Sequence, residues 1–204
     1  RDPEGRYEIH ELLRQYAEER LRQDSEAYST TLNAHSKHYL DMLGSLAVPS
    51  ITSKQAQACN QIEANLENIR LAWKHAIATK NLTGIGNAEK ALYTYYRLRS
   101  LNIERNEMFA QAIQMVESLS PTHDQQVILA KLLGRQGELM MRIGTLPQVF
   151  ALFERATDIQ RAENDLIGLA FSLGHLSLSR HNANQKEQAQ QVGNEAVQIA
   201  EQSG

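Results

Sequence analysis

Apolar side chains recur at steps of three and four residues along most of the chain, which is the pattern of amphipathic helices. The first such stripe predicts a helix that begins near His10. A second helix is predicted to begin at Asp24 or Ser25, whose short polar side chains suit a helix start, and to be stopped by Pro49. No run with strand periodicity is long enough for a sheet, although residues 6–9 are compatible with one short strand.

The longest clean apolar stripe predicts a single helix from about Lys54 to Thr79. Its apolar face carries Leu66, Ile69 and Trp73 at helical spacing. We therefore expect these three side chains to be buried against the helices that follow.

Two breaks divide the chain after residue 80. Residues 81–86 contain two glycines and predict a turn. Residues 104–119 predict a helix, and residues 120–123, which include Pro121, form the clearest break of all. The helices after this break form the most regular part of the sequence.

The chain after this break matches itself without a gap when it is shifted by forty residues. The matched pairs include Leu133 with Leu173, Gly134 with Gly174, Val149 with Ala189, and Ala156 with Ala196. A fixed period of roughly 20–50 residues is typical of helical hairpins that bury their apolar faces against their neighbours. The predicted fold is all-α, a right-handed superhelical stack of antiparallel helix hairpins.

Composition narrows the classes of function. The chain of 204 residues has a formal net charge of −3, so no basic field attracts nucleic acid or an anionic membrane. One cysteine, Cys59, excludes an internal disulfide framework and favours a reducing, cytoplasmic location. No apolar run reaches the roughly 18–20 residues that cross a bilayer.

Patterns that carry catalytic or metal chemistry are weak. His35 and His38 lie one helical turn apart but have no third ligand at a known spacing, so we expect no metal site. The tyrosines around Tyr93, beside Arg97, suggest either an aromatic and basic patch for single-stranded nucleic acid or core positions of a helix, and we favour the core. No glycine-rich phosphate loop occurs, so we expect no enzyme and no cofactor in this chain.

Three segments resemble the tetratricopeptide repeat, namely residues 86–117, 130–162 and 170–202. The best of them places small and bulky apolar residues in the slots of that family at Leu133, Gly137, Met140, Gly144, Val149, Phe153 and Ala156. The last segment lacks the aromatic residue, and the period of forty residues is longer than the family's usual one. The resemblance implies a tetratricopeptide-like α-solenoid.

The first half resembles a narrower group, the bacterial signal-transduction ATPases of the STAND class, which are similar to NB-ARC proteins. Four segments are similar to that group in order and spacing: residues 7–17, 35–40, 62–70 and 92–100. The resemblance implies that residues 1–23 end a winged-helix domain, residues 24–85 form a helical linker hairpin, and residues 86–204 form the repeats. It also implies a sensor arm that controls an adjoining nucleotide-binding domain.

One residue carries a nucleotide role through this resemblance. The triplet Ile9-His10-Glu11 is similar to the triplet that closes the winged-helix domain in the family. The resemblance implies that His10 senses bound ADP, but only in a parent protein that binds ADP or ATP. The other interpretation is that His10 caps or packs the start of a helix.

The resemblance also implies a partner-binding surface on the concave side of the repeats. Carried over residue by residue, the predicted partner-binding residues are Lys90, Arg97, Glu138, Met141, Arg142, Leu178, His181 and Asn182. Their mixed and partly basic character suits a protein, an extended or acidic peptide, or a small inducer. Two alternatives stay open, a merely solvated face and a stand-alone scaffold or adaptor without a switch.

Overall fold

The computed structural model describes residues 10–46, 53–99 and 102–203, and within them it contains ten α-helices and no strand. The helices are α1 (Glu11–Arg22), α2 (Ser25–Ser45), α3 (Ser53–Glu63), α4 (Leu66–Ala78), α5 (Leu82–Arg99), α6 (Asn102–Glu117), α7 (His123–Ile143), α8 (Leu146–Ala162), α9 (Leu166–Asn182) and α10 (Lys186–Gln202). The all-α prediction is therefore confirmed. The short strand predicted over residues 6–9 lies outside the described residues.

Short polar side chains begin several of these helices. Asp24 accepts a hydrogen bond from the Ala27 backbone amide at 3.0 Å, and α2 starts at Ser25 as predicted. Asp165 accepts in the same way from the Gly168 amide at 3.0 Å. Each carboxylate satisfies an amide that the first helical turn leaves without a partner.

The predicted single helix over Lys54 to Thr79 is wrong, because the chain breaks between α3 and α4. Asn65 explains the break. Its side-chain amide donates to the Gln61 carbonyl at 2.8 Å, which is the oxygen that the Asn65 backbone amide would use in a continuous helix. The backbone amide turns to Ile62 instead, at 3.0 Å.

The predicted turn over residues 81–86 is also wrong, because α5 already begins at Leu82. Asn81 caps this helix by accepting from the Gly84 backbone amide at 2.9 Å. The two glycines serve close packing rather than a turn. A Cβ at Gly84 would lie 2.8 Å from the Leu40 side chain, and one at Gly86 would lie 2.7 Å from that of Ile128.

Each helix after α4 packs against the helix that follows it in the chain. In addition, α5 contacts α7, and α7 contacts α9, so these three helices lie next to one another. At the other end, α2 packs against both α4 and α5. The core between these elements contains Trp73 and Ile69, which are buried as predicted, whereas Leu66 is half-buried.

Three of the connections end with the same backbone turn. Lys80, Asn164 and Asn184 have φ angles of 56°, 58° and 60°, and each follows the end of a helix. In each case the next residue donates its backbone amide to a carbonyl five positions earlier, at 2.8 to 2.9 Å. This is the hydrogen-bond pattern of a Schellman motif, which closes the helix and reverses the chain.

Candidate functional site

All eight residues predicted to bind a partner lie on the three neighbouring helices α5, α7 and α9. We call the solvent-facing side chains of these eight residues the three-helix surface. Five of them are exposed, namely Lys90, Arg142, Leu178, His181 and Asn182. The other three, Arg97, Glu138 and Met141, are half-buried. The surface therefore combines three partly covered side chains with five exposed ones, which are charged or polar except for Leu178.

Two of the half-buried residues have polar atoms that lack a hydrogen-bond partner among the described residues. They are Nε of Arg97 and Oε2 of Glu138, and both atoms are themselves buried. Burial raises the pKa of Glu138 above its usual range, and the nearby charge of Arg142 opposes that shift. A buried polar atom without a partner costs free energy, so such atoms are uncommon in native structures.

Beneath this surface, Arg135 joins the three helices. Its guanidinium carbon lies 4.3 Å from the ring centroid of Tyr93 on α5 and 4.7 Å from that of Phe171 on α9. Its Nε donates to the buried carboxylate of Glu89 at 3.3 Å. A guanidinium over an aromatic face is attracted by the ring quadrupole, so one side chain stabilises the contacts of α5, α7 and α9 together.

His175 extends this cluster on α9. Its ring is stacked on Phe153, with centroids 5.7 Å apart, and tilted against Phe171 at 4.5 Å. Burial lowers its pKa, and the positive charge of Arg135 lowers it further. Both effects disfavour the charged imidazole, and the contacts of His175 are those of a side chain packed among aromatic rings.

Sequence reasoning missed Arg135 and His175 as members of this site. A signal was present on α5, where Glu89, Tyr93 and Arg97 follow one another at intervals of four residues and so share one face of the helix. The tyrosine interpretation was correct in favouring the core, because Tyr93, Tyr95 and Tyr96 are all buried.

His10 lies at the start of α1, where its Nδ1 accepts a hydrogen bond from the Leu12 backbone amide at 3.3 Å. A neutral imidazole that accepts at Nδ1 carries its proton on Nε2. The residue is exposed, so this N–H is open to solvent. Capping the helix and donating to a phosphate are compatible, and the nucleotide role remains a prediction.

The histidine pair His35 and His38 and the single cysteine contact neighbouring side chains in the fold. Nε2 of His35 faces Oδ1 of Asn68 at 3.3 Å, and the rings of His35 and His38 both contact Tyr39. The described residues contain no group of three or more His, Cys, Asp or Glu side chains that could hold a metal ion. Cys59 is buried, and burial raises the pKa of its thiol.

Within the described ranges, no helix has the length and apolar character needed to cross a membrane. Comparison with protein-family models, with curated proteins and with solved structures gives no match for this chain.

Proposed function

We propose that this chain is the partner-sensing arm of a cytoplasmic STAND-type signalling ATPase or transcriptional regulator. In this proposal the hairpins α5–α6, α7–α8 and α9–α10 are tetratricopeptide-like units of a right-handed superhelix. A protein, a peptide or a small inducer binds the three-helix surface. Its binding shifts the adjoining nucleotide-binding domain from a closed to an open state.

The pair of unpartnered atoms on Arg97 and Glu138 carries this proposal. Each buried and unsatisfied polar group costs about 1–3 kcal/mol. A bound partner recovers this free energy when its binding shifts the two side chains enough to uncover these atoms, which are covered in the unbound chain. Nε of Arg97 needs an acceptor, whereas the Glu138 carboxylate needs a donor. An extended peptide meets both needs, because its backbone offers carbonyl acceptors and amide donors along one segment.

The first helix supports attachment to a larger body. Leu12, Leu13 and Tyr16 are 68%, 61% and 56% exposed, and they lie on one face of α1. An apolar face of this kind is expected to be covered by another domain. A free-standing adaptor, which is the second candidate function, has no need for it.

The partner surface is tested by selecting extended peptides from a random display library against this chain. The matched variant combines Arg97→Gln with Arg142→Gln, which removes both charges without adding a carboxylate near Glu138, and its melting temperature checks that the fold is kept. We expect the selected peptides to be rich in acidic residues and to lose at least about tenfold in affinity for the variant, which corresponds to about 1.4 kcal/mol. Peptides that bind both proteins equally well would remove this surface from consideration.

A second measurement, on the full-length parent protein, distinguishes the sensor function from the adaptor function. A sensor releases bound ADP faster when a selected peptide is added, because binding favours the open state. An adaptor binds the same peptide with no change in the rate of ADP release. If the sequence of the parent protein contained no phosphate-binding loop, the sensor function would also be rejected.

A further inference from the structure

A groove of about 630 Å³ lies between α1, α2 and α4, and we call it the α1–α4 groove. Because α2 packs against both other helices, it forms the floor of the groove. Tyr28, Leu32 and His35 line this floor, and their spacing of four and three residues places them on one face of α2. The volume falls within the range of about 300–1,000 Å³ that is typical of small-molecule sites.

Side-chain hydrogen bonds join the floor of the groove to the wall that α4 forms. His35 Nε2 lies 3.3 Å from Asn68 Oδ1, and both residues line the groove. His75 Nε2 lies 2.8 Å from Asn33 Oδ1 and makes a second link between the same two helices. This side of the groove is therefore formed before any ligand binds, as is usual for small-molecule sites.

The interior of the groove is apolar on all three sides. Leu21 of α1, Leu32 of α2 and Leu71 of α4 line it. Leu21 and Leu32 are half-buried, and Leu71 is 45% exposed. An apolar group that enters the groove removes these side chains from water, so the hydrophobic effect favours its binding.

Positive charge lies around this apolar interior. Arg14, Arg22 and Lys74 line the groove, and Glu18 is the one carboxylate among its described lining residues. Glu18 lies 3.6 Å from Arg14 and 2.6 Å from Arg22, so it pairs with both arginines of its own helix. Lys74 is exposed on the α4 wall and has no ion-pair partner among the described residues. The groove therefore offers one cation that is available to an anion.

The length of the groove favours a small molecule over a helix of another protein. His35 follows Tyr28 by seven residues, so the floor is about 10 Å long at 1.5 Å per residue. An average helix of a globular protein has about 11–12 residues and a length of roughly 17 Å. A docked helix would leave much of its length outside the groove, whereas a small molecule fits within it.

The exposed apolar face of α1 lies away from the groove. Leu21 follows Leu12 by nine residues, which is two and a half helical turns, so the two side chains project from opposite sides of α1. A body that covers Leu12, Leu13 and Tyr16 approaches α1 from the side opposite to Leu21. The face of α1 that we assign to contact with another domain is therefore not the face that lines the groove.

We propose that the α1–α4 groove binds a small amphipathic anion. The apolar body of this ligand contacts Leu21, Leu32 and Leu71, and its carboxylate pairs with Lys74. A cation is disfavoured, because Glu18 already has two partners. The groove shares no residue with the three-helix surface, so this inference stands whether or not a partner binds that surface.

The probes are decanoate and decylammonium, which share one alkyl chain and carry opposite charges. Isothermal titration calorimetry with the full chain gives both affinities, and we expect decanoate to bind at least about tenfold more tightly. Lys74→Glu should reduce this preference by at least about tenfold or reverse it, because it replaces the attracting charge with a repelling one. The matched control is Lys131→Glu, exposed on α7 and outside the groove, which should leave the preference unchanged.

A second pair of variants tests the apolar interior. Ala17 is exposed on α1 and lines the groove, so Ala17→Phe fills the space and should weaken the binding of both probes by at least about tenfold. Glu19→Phe places the same ring on the same helix outside the groove and should leave the binding of both probes unchanged. Circular dichroism and melting temperatures check that each variant folds.

Several results would overturn the proposal. They are equal affinities of the two probes for the original chain, a preference that Lys74→Glu leaves unchanged, and no binding of decanoate at about 1 mM. The last result would mean that another part of the chain covers the groove. If Arg97→Gln with Arg142→Gln abolished decanoate binding while Ala17→Phe preserved it, the anion would bind the three-helix surface instead.

Discussion

Replacing Trp73 with alanine tests the packing between α4 and α6. The Trp73 side chain is 1% exposed, and its ring centroid lies 6.0 Å from that of Phe109. Its indole N–H donates to the Met108 carbonyl at 3.2 Å. The substitution therefore removes a large apolar side chain from the core, together with one hydrogen bond to a helix that is distant in sequence.

The expected cost of Trp73→Ala is about 3–5 kcal/mol, since the surrounding side chains collapse only partly into the cavity. For a chain of this length each kcal/mol lowers the melting temperature by about 2–4 °C, so we expect a decrease of roughly 6–20 °C. Trp73→Phe keeps most of the apolar volume and loses the hydrogen bond, so it should cost about 1–2 kcal/mol.

Urea unfolding followed by far-ultraviolet circular dichroism measures both variants, because Trp73 is the one tryptophan of the chain and its removal abolishes the tryptophan fluorescence signal. The slope of the free energy of unfolding against urea should be the same in all three proteins. A loss below about 1 kcal/mol for the alanine variant would show that Trp73 is not a core residue, and it would refute the packing of α4 against α6.

Three further predictions follow from the cluster around Arg135 and from the start of α1. Arg135→Ala leaves the buried Glu89 carboxylate without its partner, so it should lower the free energy of unfolding in urea by about 3–5 kcal/mol. Adding Glu89→Gln to this variant should restore part of the loss. Strictly additive losses would contradict an interaction between Arg135 and Glu89. The pKa of His175 is lower in the folded chain than in the unfolded chain, so the unfolded chain binds this proton more tightly. The contribution of His175 to stability is therefore complete above pH 6.5, and it is lost as the pH falls below that value. Melting temperatures measured on both sides of this pH should show a weaker pH dependence in His175→Phe than in the original chain, and an unchanged dependence would assign it to other groups. In the full-length parent, His10→Ala should speed ADP release by about 10–100-fold, and equal rates would leave His10 a helix cap alone.

The sequence predicts most helix positions because burial imposes a period on each helix separately. It predicts the break near Pro121 for an equally local reason, since proline cannot continue a helix. The break at Asn65 is missed because apolar spacing does not register the competition between an asparagine side chain and the backbone. Gly84 and Gly86 are misassigned to a turn because their role depends on Leu40 and Ile128, which lie far away in the sequence.

The candidate site also has features that the sequence predicts and features that depend on contacts between distant residues. The repeat positions predict which residues belong to α5, α7 and α9, and the structure brings these helices together. The contact of Arg135 with Tyr93 and Phe171 depends on how far each helix is shifted along its neighbour. That shift is set by packing among several helices and leaves no periodic signal in any one of them. The orphaned atoms of Arg97 and Glu138 depend on the same packing.

The left-handed turns at Lys80, Asn164 and Asn184 limit how the length of this chain can vary. Each turn is closed by hydrogen bonds that join fixed positions at the end of one helix to the residue before the next. One inserted residue would break these bonds, so the chain would have to leave the helix through a different turn that does not satisfy the same carbonyl groups. Insertions and deletions in natural variants should therefore avoid these three connections.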